Sequence, residues 1–457
     1  MIVMKFGGTS VEDARAIERS AEIVKGRLGH NPAVVVSAMA KVTDQLLAMA
    51  RAAGAGDRKT ALKLCRALQE RHYNTAGELL CTALFTQFHG DLGADFETLE
   101  ELLRGIAAVG ELTPRTTDYV SAFGEILSSK IVAAAFSALG MDSTLVDSRE
   151  WLVTDSAHMR AAPLFEETNQ RLQSRVAPLV AAGKVPVMGG FIGATKSGIT
   201  TTIGRGGSDY SAAIVGAGLG AERIEIWTDV DGMMTTDPRI CPEARRIKVI
   251  SFDEAAELAY FGAKVLHPAT VLPAVQKNIP VYVLNSRNPD CEGTRITARA
   301  PRCRNFFKAI AVKKRITIVD VAAPRMQLAH GFLSSIFSAF DRHRVAVDVV
   351  STSEVSVSLT VDSNESIPPL AADLAKLADV KYEGRKAIVC LVGENLRDTP
   401  GIAARVFGEL SDVKIRMISQ GASEINLTFV VEEDTVSEIV RRLHKTFFSD
   451  LDPEVFA

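Results

Sequence analysis

The chain lacks the features that mark several large classes of protein. Its 52 Lys and Arg residues stand against 55 Asp and Glu, so the net charge is −3 and there is no basic excess of the kind a general nucleic-acid binder shows. No uninterrupted apolar run reaches the roughly 18 residues of a membrane-spanning helix. The apolar start, MIVM, is shorter than the hydrophobic segment of a secretory signal. We therefore expect a cytoplasmic protein that binds neither nucleic acid nor membrane.

Cysteine is also sparse. The six cysteines are widely scattered, without CxxC or Cys/His spacing of the zinc type, so reduced and partly buried thiols are expected rather than a metal centre. What the chain does have is ordinary soluble composition, with 47% apolar and 23% charged residues. Its 457 residues are too many for one core and predict two or three domains.

Residues 1–300 alternate short apolar runs with amphipathic helical patterns. This alternation predicts an α/β domain with a mainly parallel sheet covered on both faces. Residues 58–113 are expected to hold two or more helices in a lobe beside the sheet. The predicted strands are Ile2–Phe6, Ala33–Ser37, Val185–Gly189, Arg223–Thr228 and Val281–Asn285, and helical patterns cover Asp13–Lys25, Tyr210–Gly218 and Phe252–Phe261.

The chain repeats itself after residue 300. The segment that starts at Gly331 matches the segment that starts at Gly401, and the Ser-Glu pair at 353–354 recurs at 423–424. Each copy reads strand, helix, strand, strand, helix, which predicts two ferredoxin-like βαββαβ units. We therefore predict one large domain over 1–300 and two small domains over 310–385 and 386–457, with exchange of a strand between the small domains left open.

The first motif with chemical potential, KFGGTS at 5–10, lies between a predicted strand and a helix. Two adjacent glycines at such a turn let backbone N–H groups approach an anion, and a helix N-terminus adds partial positive charge. Lys5, at the strand end, can reach a phosphate as a point charge. Taken alone, the motif is also typical of a tight turn with a surface lysine.

A second glycine-rich turn, GRGGSD at 204–209, opens another predicted helix. Arg205 is suited to hold a carboxylate through two parallel hydrogen bonds. Ser208 and Asp209 are also ordinary helix-capping residues. Capping alone does not require three glycines around an arginine, so the pattern favours a binding site.

Two further loops complete the set. The loop WTDVDGMMTTDPR at 227–239 follows a predicted strand, and open α/β sheets bind ligands at the carboxyl ends of their strands. Its Asp231 is best interpreted as a solvated turn residue. In FGAKVLHP at 261–268, Lys264 is either a lysine at a helix end or a second phosphate cation, and His267 is interpreted as structural.

The motifs KFGGTS, VVVSAMAKVTD, FGEILSS, GRGGSDYSAA, WTDVDGMMTTDPR and FGAKVLHPAT together resemble the amino-acid kinase family in order and spacing. Within that family they are most similar to the aspartate kinases, of the monofunctional, lysine-sensitive type, and the resemblance covers essentially the whole chain. The duplicated part resembles a pair of ACT domains. The resemblance implies a three-layer αβα amino-acid kinase fold with a mainly parallel central sheet, followed by two ACT domains.

The resemblance also implies roles for individual residues. Catalytic roles fall on Lys5, Asp209 and Lys264, and contacts to L-aspartate fall on Ser37, Thr43, Glu125, Arg205 and Ser208. ATP would contact Lys5, Gly7, Gly8, Thr228, Asp229, Met234, Arg239 and Lys264. Mg²⁺ would be held mainly by the ATP phosphates, without a metal site in the protein. An amino-acid effector, implied to be lysine, would contact Met326, Ala329, Phe332, Leu333, Val347, Asp348, Ser353 and Glu354.

Three positions depart from the family pattern. Met234 stands where relatives often have tyrosine, which removes a ring and a hydroxyl from the nucleotide site. Asp44 replaces an asparagine beside the substrate threonine and adds negative charge there. Ala329 replaces a serine at the effector site, so the affinity for the effector does not follow from the resemblance.

The resemblance implies an ATP-dependent kinase that phosphorylates the side-chain carboxylate of L-aspartate, the first step of lysine, threonine and methionine biosynthesis. Feedback inhibition by lysine and a homo-oligomer formed through the ACT domains are expected with it. The acceptor carboxylate is already ionised at neutral pH, so no general base is required. Two alternatives stay open: a sister kinase acting on glutamate, N-acetylglutamate or carbamate, and a non-catalytic amino-acid sensor.

Overall fold

The computed structural model describes residues 1–262, 268–322 and 331–457. By its internal contacts the chain forms two compact units. The first comprises residues 1–232 and 268–299, and the second comprises 233–262 and 300–457 within the described ranges. The segment 233–262 belongs to the second unit although it lies within the range 1–300 predicted for the large domain, and the predicted domain bounds stay a prediction.

The strands and helices of the described ranges follow in chain order. The strands are β1 Ile2–Phe6, β2 Pro32–Val36, β3 Ser143–Val146, β4 Val153–Thr154, β5 Val185–Gly189, β6 Ile192–Thr195, β7 Thr200–Thr202, β8 Ile224–Thr228, β9 Val249–Ser251, β10 Val281–Asn285, β11 Thr294–Thr297, β12 Ala309–Ala322, β13 Val347–Thr352, β14 Ser356–Asp362, β15 Asp379–Val392, β16 Met417–Gln420 and β17 Asn426–Glu432. The helices are α1 Ala14–Lys25, α2 Val42–Gly54, α3 Arg58–Leu79, α4 Thr82–Val109, α5 Pro114–Ala138, α6 Phe165–Arg175, α7 Ala177–Ala181, α8 Gly207–Leu219, α9 Phe252–Tyr260, α10 Leu272–Gln276, α11 Phe332–Arg342, α12 Ile367–Leu374, α13 Ile402–Gly408 and α14 Val436–Phe447.

The first unit is built on a mainly parallel sheet. Seven of its strands lie in the order β3-β5-β2-β1-β8-β10-β11, and only the β10–β11 pair among them is antiparallel. A small second sheet contains β4, β6 and β7. The five strands predicted here are confirmed to within one residue at each end. Every residue of β1 and β2 is buried, as expected when helices cover both faces of a parallel sheet.

Helix α5 is a long, mostly apolar helix of this unit. It has the length and the hydropathy of a membrane span, but 83% of its most apolar 18-residue stretch is buried. It packs on β2, β3 and β5 and on helices α1 to α4. A mostly apolar helix that is buried by its neighbours in this way is a core helix of a globular domain. The predicted lobe near 58–113 is confirmed as α3 and α4.

The second unit holds the repeated elements in one six-stranded sheet, ordered β13-β14-β12-β15-β17-β16. Its two central strands, β12 and β15, are each 14 residues long and pair antiparallel along their whole length. Only the second half of β12 also pairs with β14, and only the second half of β15 also pairs with β17. When each repeat is counted from the start of its long strand, at Ala309 and at Asp379, each repeat lends the first half of that strand to the sheet of the other repeat.

The segment 233–262 is joined to these repeats by buried polar contacts. The Thr235 hydroxyl lies 2.9 Å from His444 Nε2 on α14. Lys308 Nζ lies 2.9 Å from Glu254 Oε2, with both side chains almost fully buried. Asn426 donates to Glu257 at 2.8 Å. Separating these buried polar groups would cost free energy, because each would lose its partner. The contacts therefore hold the segment 233–262 within the second unit.

Candidate active site

The carboxyl ends of neighbouring parallel strands bring the predicted loops of the first unit together. Strand β1 lies between β2 and β8, with Lys5 opposite Val35 and Ile226. The N–H of Ser37, just after β2, donates to the Phe6 carbonyl at 3.0 Å. The loops after β1 and β2 therefore start side by side, at the edge where open α/β sheets bind ligands.

Lys5 and Asp209 form an ion pair at the centre of this edge. Lys5 Nζ lies 2.7 Å from Asp209 Oδ1, and the two side chains are only 10% and 14% exposed. Asp209 lies in the first turn of α8, where the free N–H groups of the helix favour negative charge. The aspartate thus fixes the lysine ammonium at the strand end.

The glycine at position 8 lets two loops approach each other closely. A Cβ atom at Gly8 would lie 3.0 Å from the Ala38 carbonyl oxygen, which is tighter than real Cβ contacts normally are. The Ala40 N–H donates to the Gly8 carbonyl at 3.1 Å. A side chain at this position would push the loop after β2 away from the loop after β1.

Eight of the predicted residues line one cavity of about 390 Å³. They are Lys5, Gly8, Ser37, Thr43, Glu125, Arg205, Ser208 and Asp209. Gly7 is not among the lining residues, and its N–H donates to the Trp227 carbonyl at 2.9 Å. In this conformation the sheet already uses that donor, and the contact between the Gly7 backbone and phosphate stays a prediction.

Glu125 is the most unusual carboxylate of the cavity. It is 4% exposed, and its Oε1 accepts the Ala38 N–H at 3.1 Å. Within the part of the chain that the structure describes, Oε2 has no hydrogen-bond partner. Burial raises the pKa of Glu125 to about 8, against the lowering effect of the Ala38 hydrogen bond. A buried oxygen without a donor in a cavity is suited to receive an ammonium group.

The charges of the cavity favour an anionic ligand. Lys5 and Asp209 neutralise each other, and Glu125 is mostly protonated below pH 8. Lys41 and Arg205 then outweigh Asp44 among the lining side chains. For Arg205, no ion pair is found among residues 1–262, 268–322 and 331–457, so its guanidinium is available there.

Two residues that sequence reasoning missed also line the cavity. Phe191 and Lys41 have φ angles of 66° and 68°, in the left-handed region that side chains rarely adopt. Backbone strain of this kind concentrates at functional sites. Phe191 follows two glycines at the end of β5, another carboxyl end of the parallel sheet, and that position was the available signal.

Lys5 and Gly8 line this cavity, but the other predicted nucleotide contacts that the structure describes do not. Thr228 ends β8, with its hydroxyl 3.3 Å from Asp229 in the first unit. Met234 and Arg239 belong to the second unit, where the Arg239 side chain is 89% exposed and pairs with Asp237. Lys264 lies outside the described residues. The structure therefore supports the acceptor side of the site more directly than the nucleotide side.

The predicted effector residues lie in the first repeat of the second unit. Phe332 and Leu333 open α11, Val347 and Asp348 begin β13, and the exposed pair 353–354 lies in the turn before β14. The Ser353 hydroxyl accepts the Ser356 N–H at 3.1 Å, a turn-stabilising contact. Met326 and Ala329 lie outside the described residues.

Asp348 already binds an ammonium group of this chain. Lys313 Nζ lies 2.7 Å and 2.9 Å from its two carboxylate oxygens. The Tyr260 hydroxyl donates to the same carboxylate at 3.2 Å. Burial alone would lower the pKa of Lys313, but the neighbouring carboxylates Asp348 and Asp362 raise it, so this lysine stays charged. A free lysine that binds Asp348 would therefore compete with Lys313 for this carboxylate.

Comparison with known proteins agrees with this geometry. Residues 1–285 match the model of the amino acid kinase family, and residues 389–447 match an ACT domain. The chain is 38% identical to aspartokinase 1 of Arabidopsis thaliana, covering 98% of this chain and 80% of that protein. It is 36% identical to the lysine-sensitive aspartokinase 3 of Escherichia coli, covering 98% and 99%.

Two crystal structures of E. coli aspartokinase III are similar over nearly the whole chain. The complex with aspartate and ADP, in the R-state, has 36% identity and a TM-score of 0.85, covering 98% of this chain and all of that one. The complex with lysine and aspartate, in the T-state, has 35% identity and the same TM-score and coverage. The likeness extends through both units.

Proposed function

The chain belongs to the amino acid kinase family and, within it, to the aspartokinases, and on that premise we propose how it acts. It transfers the γ-phosphoryl group of ATP to the β-carboxylate of L-aspartate and yields 4-phospho-L-aspartate and ADP. One observation carries the assignment of roles: a single cavity presents Glu125, Arg205 and Lys5 together.

Those three side chains complement the three charges of aspartate. Oε2 of Glu125, which has no hydrogen-bond partner among the described residues, would accept from the α-ammonium, and the guanidinium of Arg205 would hold the α-carboxylate. The β-carboxylate would then face Lys5, which Asp209 holds in place. Thr43 and Ser208 line the same cavity and would contribute hydroxyl groups to the bound amino acid.

The reaction requires positioning and charge neutralisation rather than proton transfer. A β-carboxylate oxygen forms a bond to the γ-phosphorus while the bond between that phosphorus and the β,γ-bridging oxygen breaks, and ADP leaves with the electron pair. The attacking carboxylate is ionised at neutral pH, so no base is needed. The chain's own part is to bring two anions together and to stabilise the transferring group with Lys5.

Magnesium fits this site as an ion carried by the nucleotide. Among the described ranges there is no group of three or more His, Cys, Asp or Glu residues that could hold a metal. The Asp209 carboxylate of the cavity already binds Lys5. When bound with ATP, Mg²⁺ supplies further positive charge against the phosphates. Thr228, Asp229, Met234, Arg239 and Lys264 are proposed as nucleotide contacts on the family resemblance alone.

The acceptor is tested by trapping the product with hydroxylamine. Purified enzyme with ATP and L-aspartate is expected to give a hydroxamate. L-Glutamate should give little, because the extra methylene displaces its carboxylate from Lys5 once Glu125 and Arg205 hold the α-groups. N-Acetylglutamate should give none, because it has no ammonium for Glu125. Product from N-acetylglutamate, or none from aspartate, would contradict the assignment and favour the sister-kinase or sensor alternatives.

We propose lysine as the feedback effector, acting at the first repeat. The relative from E. coli is lysine-sensitive, and in this chain Asp348 already binds a lysine ammonium, that of Lys313. The N-terminus of α11, in the same repeat, supplies free N–H groups for a carboxylate. Binding inhibits only if lysine has different affinities for two conformations of the enzyme.

Replacing Lys313 by methionine tests the displacement directly. The variant keeps the length of the side chain but removes the ammonium that occupies Asp348, so free lysine no longer has to displace it. The lysine concentration for half-maximal inhibition is expected to fall about tenfold, the factor that corresponds to one charge-assisted hydrogen bond. The measurement is the rate of aspartate phosphorylation across a lysine titration.

The neighbouring Lys314 provides the matched control, because its side chain is exposed. Lys314→Met removes the same charge and should leave the inhibition curve in place. A Lys313→Met enzyme that needs more lysine, or that lysine no longer inhibits, would mean that Lys313 supports the effector site instead of competing for it.

The oligomeric state and the cellular compartment are proposed from exposed apolar residues and from the cysteines. We propose a homo-oligomer formed through the ACT repeats, where Val350, Val355 and Ile418 on or beside strands are exposed apolar residues. All six cysteines are free, which suits a reducing compartment such as the cytoplasm.

A further inference from the structure

The buried carboxylate of Asp118 contacts segments that support the loop carrying Arg205. Asp118 lies on α5, two turns before Glu125, but it does not line the cavity. Its side chain is only 1% exposed. Burying a carboxylate costs free energy unless protein donors form hydrogen bonds to both of its oxygens. The donors to Asp118 therefore identify the segments that it joins.

The partners of Asp118 come from two distant segments. The Thr202 hydroxyl donates to Oδ1 at 2.5 Å. His158 Nδ1 lies 2.7 Å from Oδ2, and the Met159 N–H donates to both oxygens at 2.9 Å and 3.0 Å. The carboxylate thus joins the end of β7 to the turn at residues 157–160.

These two segments support the backbone next to Arg205. Thr202 is the last residue of β7, three positions before Arg205, and its carbonyl accepts the Ala161 N–H at 2.9 Å. Gly204 has φ of +80°, and a Cβ atom there would lie 3.3 Å from the Met159 carbonyl oxygen. The turn therefore packs directly beneath Gly204, and only a glycine fits this conformation without strain.

The Arg205 side chain, in contrast, is not held by an ion pair among the described residues. It is exposed and lines the cavity. An arginine side chain carries about 2 kcal/mol of rotamer entropy, so the direction in which it leaves the backbone decides where its guanidinium can reach. The backbone next to Arg205 is supported by the residues that Asp118 holds.

We propose that Asp118 is a positioning residue for the aspartate site, acting through Thr202 and the turn at His158 and Met159 to place Arg205 against the α-carboxylate. The proposal rests on the proposed function, since it presumes aspartate as the acceptor. Asp118 touches neither substrate nor reacting atoms. Its loss should therefore weaken aspartate binding selectively, because a small misplacement of a substrate-holding group is costly even when the reacting groups are intact.

The expected result is a split between the two substrates. Asp118→Asn, or Thr202→Val, should raise KM for aspartate about tenfold and leave KM for ATP within twofold. Thr202→Ser keeps the hydroxyl and His158→Asn keeps a side-chain N–H donor, so both should stay close to wild type. His158→Ala removes that donor and should resemble Thr202→Val. Thermal unfolding of each variant identifies any that is misfolded, and Thr202→Val, nearly isosteric, keeps the test available if Asp118→Asn does not fold.

A double-mutant cycle with Arg205→Met decides between positioning and general structural support. If Asp118 acts through Arg205, Thr202→Val or Asp118→Asn lowers kcat/KM for aspartate about tenfold in the wild-type background and hardly at all in the Arg205→Met background. Equal factors in both backgrounds, or parallel increases in KM for ATP, would overturn the proposal. A wild-type enzyme that does not phosphorylate aspartate would instead overturn the proposed function, which is a separate outcome.

Discussion

Replacing Lys5 by methionine is expected to lower kcat for aspartate phosphorylation by about 100- to 1,000-fold, the factor found when one preorganised donor to a developing charge is removed. Lys5 is the cation at the strand end, 10% exposed and paired with Asp209 at 2.7 Å. Methionine removes its charge and leaves the Asp209 carboxylate uncompensated beside two anionic substrates. Both changes raise the barrier to phosphoryl transfer.

Aspartate binding should suffer much less than kcat. Glu125 and Arg205, which we propose to hold the α-groups, are unchanged in this variant. Calorimetric titration with aspartate should therefore give an affinity within about tenfold of wild type, while the release of ADP almost stops. An enzyme that loses kcat and aspartate binding in equal measure would indicate a collapsed site rather than a lost cation.

Two further variants control for charge and for folding. Lys5→Arg keeps a positive charge but spreads it over a planar group, so partial activity is expected. Lys25→Met removes a lysine from the exposed end of α1, where it pairs with Glu22, and should leave kcat unchanged. Activity of Lys5→Met within about fivefold of wild type would remove Lys5 from the catalytic machinery.

The second large effect concerns the pH dependence of aspartate recognition. Burial raises the pKa of Glu125 to about 8, so in the empty site the side chain is mostly neutral at pH 7. Only the carboxylate can pair with the α-ammonium of the substrate, and binding must therefore release a proton. We expect kcat/KM for aspartate to rise close to tenfold per pH unit between about pH 6 and 8 and to level off above pH 8.

Glu125→Gln should remove this dependence as well as most of the affinity. Glutamine is neutral at every pH and cannot form the ion pair, so KM for aspartate should rise by about two orders of magnitude and change little between pH 6 and 8. Glu101→Gln, on an exposed part of α4, is the matched control and should keep the wild-type profile. A wild-type profile that is flat from pH 6 to 8 would show that Glu125 is already ionised in the empty site.

The same shift affects the stability of the unliganded protein with a defined sign. The ordinary pKa of 4.5 is raised to about 8 in the folded state. Between these values the native protein holds a proton that the unfolded chain has lost, so the contribution of Glu125 to the free energy of unfolding falls as pH rises. Aspartate, by supplying an ammonium, reverses that loss.

The fold could be predicted from the sequence where local pattern and burial agree. Strands such as β1 and β5 are short and mostly apolar, and their predicted bounds agree with the structure. The first half of β15, Asp379 to Arg385, is mostly polar and exposed, so nothing in it indicated a strand. It is a strand because β12 of the other repeat supplies its partner, and pairing between repeats leaves no local signal.

The site shows the same division. Lys5, Arg205 and Asp209 lie in glycine-rich turns after strands, where residue type and position both indicate anion binding. The altered pKa of Glu125 depends on its burial among residues remote in sequence, including Ala38. Asp118 reads as an ordinary helical aspartate until its partners, 40 and 84 residues away, are known. Chemistry that arises from tertiary contacts is not visible in a single sequence.

The most direct test is a crystal structure of the protein with L-aspartate and a non-hydrolysable ATP analogue. The account predicts aspartate in the cavity lined by Lys5, Glu125 and Arg205, with its ammonium on Glu125, its α-carboxylate on Arg205 and its β-carboxylate towards the γ-phosphate beside Lys5. Aspartate bound outside this cavity, or bound with its α-carboxylate towards the phosphate, would contradict it.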